Sequence, residues 1–218
     1  MKFIKKSRII KGIALIFASS FLLGGCSGQK PDKTTLDKVQ NMLFSMKTYE
    51  TNANIKYISA KTEHTYGTKQ QVKITGEYRI EVTSPDRAAG STTVFDGKTI
   101  CQYNSRVTTR ASFTTTDVPE RSELLLSAFL KNYLAASKTS VNTENFNNSI
   151  CTTLSAAIPG NHIFLKTEKL WVDNTTLKPV KLAIYDPDGV ERIVITYNTF
   201  SYNLVLNDSL FLIQQPDK

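Results

Sequence analysis

The pattern of hydrophobic and polar positions changes its period along the chain and predicts a sheet interrupted by helices. Over residues 34–46, apolar side chains recur at three- and four-residue steps, as on one face of a helix whose first turn contains Asp37. From Tyr49 the period becomes two. It is clearest over residues 70–82, which we predict to form one strand with Gly76 at a bend or bulge. Such alternation indicates a sheet with one buried and one solvated face.

Turn residues divide the remaining β-forming runs into hairpins. Asp96 and Gly97 lie between two such runs, and both residue types tolerate the positive φ that a tight hairpin turn requires. The segment Asp-Pro-Asp-Gly at 186–189 is a second turn of this kind. The later strands are predicted over residues 163–166, 169–173, 179–185 and 191–200.

A second helix is predicted in the middle of the chain. Its apolar residues extend from Leu125 to Leu134, and either Asp117 or Ser122 provides the N-cap. The polar stretches 108–116 and 142–149 are predicted to be loops. Eight to ten strands with two main helices indicate an α+β domain or an open barrel.

The distribution of charge along the chain decides whether a nucleic acid is predicted as a partner. The 218 residues are 40% hydrophobic and 21% charged, which is typical of a globular protein and excludes a disordered or disulfide-dense class. The formal net charge of +8 is concentrated at the start, because residues 1–25 contain five Lys or Arg and no acid. The rest has 22 basic and 19 acidic residues, so the sequence predicts no nucleic-acid partner.

The N-terminal segment carries the most specific local motif. A basic start is followed by an apolar stretch over residues 12–23, too short for a membrane span, which needs roughly 20 residues. It ends in Leu-Gly-Gly-Cys at 23–26, which resembles the lipobox of bacterial lipoproteins. The alternative is an uncleaved anchor with an incidental cysteine. We predict a lipoprotein signal peptide over residues 1–25, a lipid attached to Cys26, a flexible tether over 26–33 and one domain over 34–218.

The predicted modification is a diacylglyceryl thioether on Cys26 together with N-acylation of the new terminus. Two or more acyl chains hold a protein stably on a bilayer, whereas one does not. The sequence therefore predicts a protein anchored at the extracytoplasmic face of a bacterial cell or spore membrane. Cys101 and Cys151 remain, and they form either a disulfide or two separately buried thiols.

Candidate catalytic and metal-binding residues are isolated. His64 lies in a polar stretch and His162 at a turn, which predicts a solvated loop histidine and a turn residue. No metal-ligand spacing, phosphate-binding loop or nucleophile motif occurs, so we predict a non-catalytic protein without metal or cofactor. Four acids fit helix caps and turns better than an acid–base pair: Glu120, Glu123, Asp186 and Asp188.

Two other features have competing interpretations. Trp171 begins a strand, and a buried core position explains it better than a ligand platform. Arg106, Arg110 and Arg121 surround the Thr-rich loop, where they form either a basic contact patch or ordinary solvated surface.

A family resemblance covers roughly residues 34–211. Residues 170–189 read LWVDNTTLKPVKLAIYDPDG, which resembles the W-[IV]-D, P-x-K and Y-D-x-x-G pattern of the LolA/LolB lipoprotein-carrier superfamily. The runs at 78–81 and 94–98 resemble its N-terminal half. Within that superfamily, the lipobox and residues 122–133 are most similar to the clostridial GerS-type germination lipoproteins. Cys101 departs from the pattern, since many relatives carry a large residue there.

The resemblance implies a strongly bent, unclosed antiparallel sheet with helices covering its concave face. GerS-type members bind and activate a spore-cortex N-acetylmuramoyl-L-alanine amidase of the CwlD type, which predicts such an amidase as the partner. In carrier members, the concavity holds the acyl chains of lipoprotein cargo, and this is the alternative function. The surface that would bind a partner is not predicted, although exposed sheet edges favour pairing with a second copy or another chain.

Overall fold

The computed structural model describes residues 29–106, 110–114, 122–160 and 164–213. Its two α-helices are α1 (Lys33–Ser45) and α2 (Leu126–Ala135), and short 3₁₀ helices span Ser122–Leu124 and Asp208–Phe211. The strands are β1 (Thr48–Ile58), β2 (Glu63–Lys73), β3 (Tyr78–Ser84), β4 (Ser91–Phe95), β5 (Thr99–Asn104), β6 (Arg110–Thr114), β7 (Thr139–Phe146), β8 (Ser149–Ala157), β9 (Thr167–Asp173), β10 (Pro179–Tyr185) and β11 (Glu191–Tyr202).

All these strands belong to one antiparallel sheet. Its order is β6-β5-β4-β3-β2-β1-β11-β10-β9-β8-β7, so each half of the chain forms a meander and the two meanders join where β1 pairs with β11. The sheet is open, with β6 and β7 at its edges. Eleven strands exceed the eight to ten predicted, because the sequence prediction merged two strands and overlooked others.

The sheet is strongly bent, and the helices cover its concave face. Irregular pairings in β1, β2 and β10 interrupt the regular ladder, and such bulges increase the local bend and twist. Alternate residues of each strand meet the helices in the main core. The predicted architecture, an unclosed bent antiparallel sheet with helices on the concave side, is confirmed.

Helix α1 confirms the first amphipathic prediction within one residue at each end. Val39, Met42 and Leu43 are buried against the sheet. The predicted electrostatic role of Asp37 is wrong, because the helix begins at Lys33 and places Asp37 beyond the first turn. Asp32 is the N-cap instead: its carboxylate accepts a hydrogen bond from the Thr35 backbone N–H at 2.9 Å.

The single strand predicted over residues 70–82 is two strands. A hairpin turn between Lys73 and Tyr78 contains Gly76 at φ +141°. Val72 and Tyr78 are directly paired across the hairpin, so both face the same side of the sheet. The alternation continues across the turn in the sequence, and this is why the turn was hidden.

Three further predictions are corrected, two of them at the edges of the sheet. Residues 142–149, predicted to be a loop, contain most of β7 and the start of β8, joined by a turn at Asn147 and Asn148, which both have positive φ. Residues 110–114 within the predicted Thr-rich loop form β6. Residues 164–166 are not a strand. Edge strands such as β6 and β7 need no continuous apolar face, so their polar sequences resemble loops.

Candidate functional site

The concave face of the sheet is occupied by the protein's own helices. In α2, the buried residues are Leu126, Phe129, Leu130 and Tyr133, and Phe129 is fully buried. Phe129 and Tyr133 stack with their ring centroids 5.8 Å apart, and Phe44 of α1 stacks on Tyr133 at 6.4 Å. The apolar residues of the sheet and both helices therefore form one packed core over the described part of the chain.

A buried polar cluster, formed by Tyr49, Asn132, Glu168 and Tyr197, lies within this core. The Asn132 amide on α2 donates to a Glu168 carboxyl oxygen on β9 at 2.9 Å. The other Glu168 oxygen and the Tyr197 hydroxyl have no hydrogen-bond partner. Glu168 is 1% exposed. Such unsatisfied groups are costly in an apolar core, so this cluster is the most unusual chemistry of the concave side.

Burial determines the protonation of the cluster. It raises the pKa of Glu168 from 4.5 to about 7, and the hydrogen bond from Asn132 opposes this shift only in part. Burial also raises the pKa of Tyr197 well above its usual value, with Tyr49 and Glu168 adding to the effect. Near neutral pH a large fraction of Glu168 is therefore uncharged and can donate as well as accept a hydrogen bond.

Sequence reasoning missed this cluster, although one signal was present. Glu168 shares its strand parity with Leu170 and Val172, which both point into the core. A charged residue at a core-facing strand position indicates a buried carboxyl. No such signal marks Tyr49, whose position resembles that of any buried aromatic residue.

Tyr49 caps α2 from across the sheet. Of the two predicted capping residues, Asp117 lies outside the described residues and Ser122 begins the preceding 3₁₀ helix. The N-cap position of α2 is Leu125, without a side-chain hydrogen bond. The buried backbone N–H of Leu126 instead donates to the Tyr49 hydroxyl at 3.1 Å. This contact fixes the start of α2 over β1.

Tyr49→Phe is expected to destabilise the protein by about 1–3 kcal/mol, because the buried Leu126 N–H would lose its acceptor. Urea unfolding followed by circular dichroism measures the change. Tyr202→Phe is the matched control at a half-buried position of β11, and its expected effect is below about 0.5 kcal/mol. Equal effects of the two substitutions would contradict the capping role.

The convex face carries a second organised group, which we name the convex charged cluster: Glu144, Lys169, Trp171, Lys181 and Glu191. Both lysine ammonium groups lie over the Trp171 ring, at 4.7 Å for Lys169 and 4.6 Å for Lys181. The indole N–H donates to Glu144 at 3.0 Å, and Glu144 also pairs with Lys169. Trp171 is buried as predicted, but outside the main core, in a small cluster on the opposite face.

The two cysteines occupy separate halves of the sheet. Cys101 lies on β5 and Cys151 on β8; both are free and buried, which confirms the interpretation as separate thiols. Burial raises the pKa of Cys151 to about 11, so its reactive thiolate is scarce. Cys101 lines a cavity of about 220 Å³ between the convex side of β3–β5 and the C-terminal segment, together with Arg79 and Tyr103.

The remaining predicted site residues that the structure describes are dispersed. His64 is exposed, but it lies on β2 and not in a loop. His162, Glu120 and Cys26 lie outside the described residues, as does Arg121, and the side chain of Arg110 is also undescribed. Arg106 is exposed and pairs with Asp86 at 3.5 Å. The structure therefore brings together no arginine patch from the residues it describes.

Among the acids predicted to serve caps and turns, Asp186 stabilises a turn. Asp186 accepts hydrogen bonds from the backbone N–H groups of Asp188 and Val190, each at 2.9 Å, and pairs with Arg192. Within the described ranges, no three His, Cys, Asp or Glu side chains are grouped to hold a metal ion. None of the described helices has the length and hydropathy required to cross a membrane.

Comparisons with known proteins bear on the fold and on the family of this chain. An uncharacterized conserved protein from Thermus thermophilus has the same fold, with a TM-score of 0.51 and 11% identity over 84% of this chain and 93% of that chain. Further structural matches, two of which follow, have TM-scores below 0.5. No curated protein matches the sequence significantly.

The first weaker match is a chain of the Clostridioides difficile CwlD amidase complex with the GerS lipoprotein, with a TM-score of 0.48 and 24% identity over 80% of this chain and 98% of that chain. The second is the LolA superfamily protein NE2245 from Nitrosomonas europaea, with a TM-score of 0.44 and 13% identity over 83% of this chain and 96% of that chain. The family model "Sporulation protein YdcC-like" matches residues 5–211. Since this match spans nearly the whole sequence, the protein belongs to the YdcC-like family of sporulation proteins.

Proposed function

We propose that the protein is a lipid-anchored, non-catalytic binding module that acts in spore germination as the partner and activator of a cortex N-acetylmuramoyl-L-alanine amidase. The observation that carries the proposal is the filled concave face, where Leu126 and Phe129 are fully buried against the sheet. Membership of a sporulation protein family and the GerS-like sequence motifs support the same function.

The filled concave face favours binding over lipid transport. A carrier of acyl chains needs apolar volume that its own side chains leave empty, whereas α1 and α2 pack directly on the sheet here. Opening that space would expose Phe129 and Leu130 and would separate Asn132 from Glu168. The carrier function therefore requires a rearrangement that a binding module does not need.

The outer surfaces suit recognition by a protein partner. The convex charged cluster presents lysine and glutamate side chains held by mutual contacts, so less side-chain entropy is lost when a partner binds. The edges of an open sheet also offer backbone groups for pairing with another chain or a second copy. An anchor at Cys26 would keep these surfaces at the outside of a membrane, close to peptidoglycan enzymes.

The test uses the domain from residue 27 to 218 and the CwlD-type amidase of the same organism. We expect a stoichiometric complex in calorimetry and a several-fold increase in the amidase's hydrolysis of cortex muropeptides. The domain alone should show no hydrolysis. The proposal is wrong if the proteins neither associate nor change amidase activity. Retention of fluorescent fatty-acid probes without amidase binding would instead favour the carrier function.

A further inference from the structure

The chain immediately before α1 is attached to one edge of the sheet. Gln29 forms an isolated antiparallel bridge with Thr143 on β7, and the Thr143 backbone N–H donates to the Gln29 carbonyl at 2.6 Å. This donor points away from β8, because β7 is an edge strand. The bridge thus fixes the point from which the N-terminal segment leaves the sheet.

The short distance along the chain to Cys26 limits where a lipid can lie. Cys26 precedes Gln29 by three residues, and an extended chain spans at most about 3.6 Å per residue, or about 11 Å in total. In this antiparallel bridge Gln29 runs opposite to β7, so its N-terminal side faces the turn at Asn147 and Asn148.

That end of the sheet has the surface chemistry of a membrane-facing side. The β7–β8 turn is joined to the β9–β10 turn by a hydrogen bond from the Asn174 N–H to the Ile150 carbonyl at 3.0 Å. Segments 145–150 and 174–178 contain no acidic residue, whereas Lys178 is exposed. Ile150 at the turn is 59% exposed. Uncharged amides, a cation and one apolar side chain are compatible with lipid headgroups.

We propose that the β7–β8 turn is the membrane-facing end of the domain and rests on the phospholipid headgroups of the leaflet that holds the acyl chains of Cys26. The inference rests on the lipid anchor of the proposed function, and it adds an orientation. The bridge at Thr143 and the short reach from Gln29 hold this end at the bilayer. The β1–β2 turn at residues 59–62 lies at the opposite ends of the strands and faces away from the lipid.

The test measures the proximity of two sites to lipid headgroups. The lipidated protein is purified from membranes as Asn145→Cys or Lys61→Cys, both at exposed positions, and the new thiol is labelled with a fluorophore. Cys101 and Cys151 are buried, and a lipidated Cys26 has no free thiol. Each protein is placed in phosphatidylglycerol–phosphatidylcholine vesicles that carry a nitroxide on the headgroup.

We expect quenching of the label at position 145 to exceed that at position 61 several-fold. A flexible insertion of about 20 Gly and Ser residues after Ser27 should abolish the difference, because the anchor would no longer be held close to β7. Equal quenching at both sites in vesicle-bound protein without the insertion overturns the orientation alone. If the protein does not float with vesicles and behaves like Cys26→Ser, the anchor itself is refuted and the orientation falls with it.

Discussion

Phe129→Ala is expected to lower the free energy of unfolding by about 3–5 kcal/mol, because it removes a fully buried ring at the centre of the contact between α2 and the sheet. The ring also stacks on Tyr133, so its loss leaves a second aromatic side chain without its neighbour. The surrounding strands belong to one continuous sheet and can close the resulting cavity only in part.

Chemical denaturation gives the size of this effect. Leu134→Ala is the matched control, since Leu134 lies on the same helix and is 68% exposed; its expected change is below about 0.5 kcal/mol. The Phe129→Ala protein should also gain affinity for small apolar probes that the unaltered protein does not retain. A loss below about 1 kcal/mol, or probe binding already present before the substitution, would show that the concave face is not packed.

Glu168→Gln is expected to remove most of a pH dependence of stability. The ordinary pKa of a glutamate side chain is 4.5, and burial in the folded protein raises the pKa of Glu168 to about 7. The folded state therefore binds the proton more tightly, so the stabilising contribution is fully present below pH 4.5 and is lost as the pH rises through about 7. Above about pH 7, the contribution lost from the free energy of unfolding is of the order of 3 kcal/mol.

Glutamine keeps the acceptor for Asn132 and cannot ionise. The variant should therefore be more stable than the unaltered protein at about pH 8 and similar to it at about pH 5. Unfolding curves across this range provide the measurement. Glu63→Gln, at a carboxylate whose side chain is 55% exposed, is the control and should leave the pH profile unchanged. If the stability of Glu168→Gln changed with pH in parallel with that of the unaltered protein, Glu168 would stay ionised in the folded state.

The sequence predicted those parts of the fold where local signals and tertiary structure agree. The hairpins at Asp96–Gly97 and at residues 186–189 were predicted because their sequences favour tight turns, in which Gly97 and Gly189 adopt positive φ. Strand β10 was predicted with its observed bounds. The W-[IV]-D and P-x-K motifs lie on paired strands, where Trp171 faces Lys181. Motif similarity and strand pairing therefore pointed to the same architecture.

The errors arose where burial, and not local chemistry, decides the structure. The residues of β7 are half-buried or exposed, so no alternation marked it as a strand. The start of α2 is fixed by Tyr49, which is distant in sequence and carries no capping motif. Strand parity places Trp171 on the face opposite Leu170 and Val172, but its cover by Lys181 comes from the neighbouring strand. Such contacts between distant segments leave no local pattern.

The pairing of β1 with β11 determines when the sheet can form during synthesis. Tyr49 pairs with Tyr202 and Tyr57 with Ile193, so the central ladder joins the first strand of the chain to the last. All the remaining ladders in the sheet join strands that are consecutive in sequence. Each of them can form as soon as its two strands have emerged. Contacts this far apart in sequence are slow to form. The two meanders must therefore remain separate until β11 is complete, and both sides of the future junction are exposed strand edges during that time.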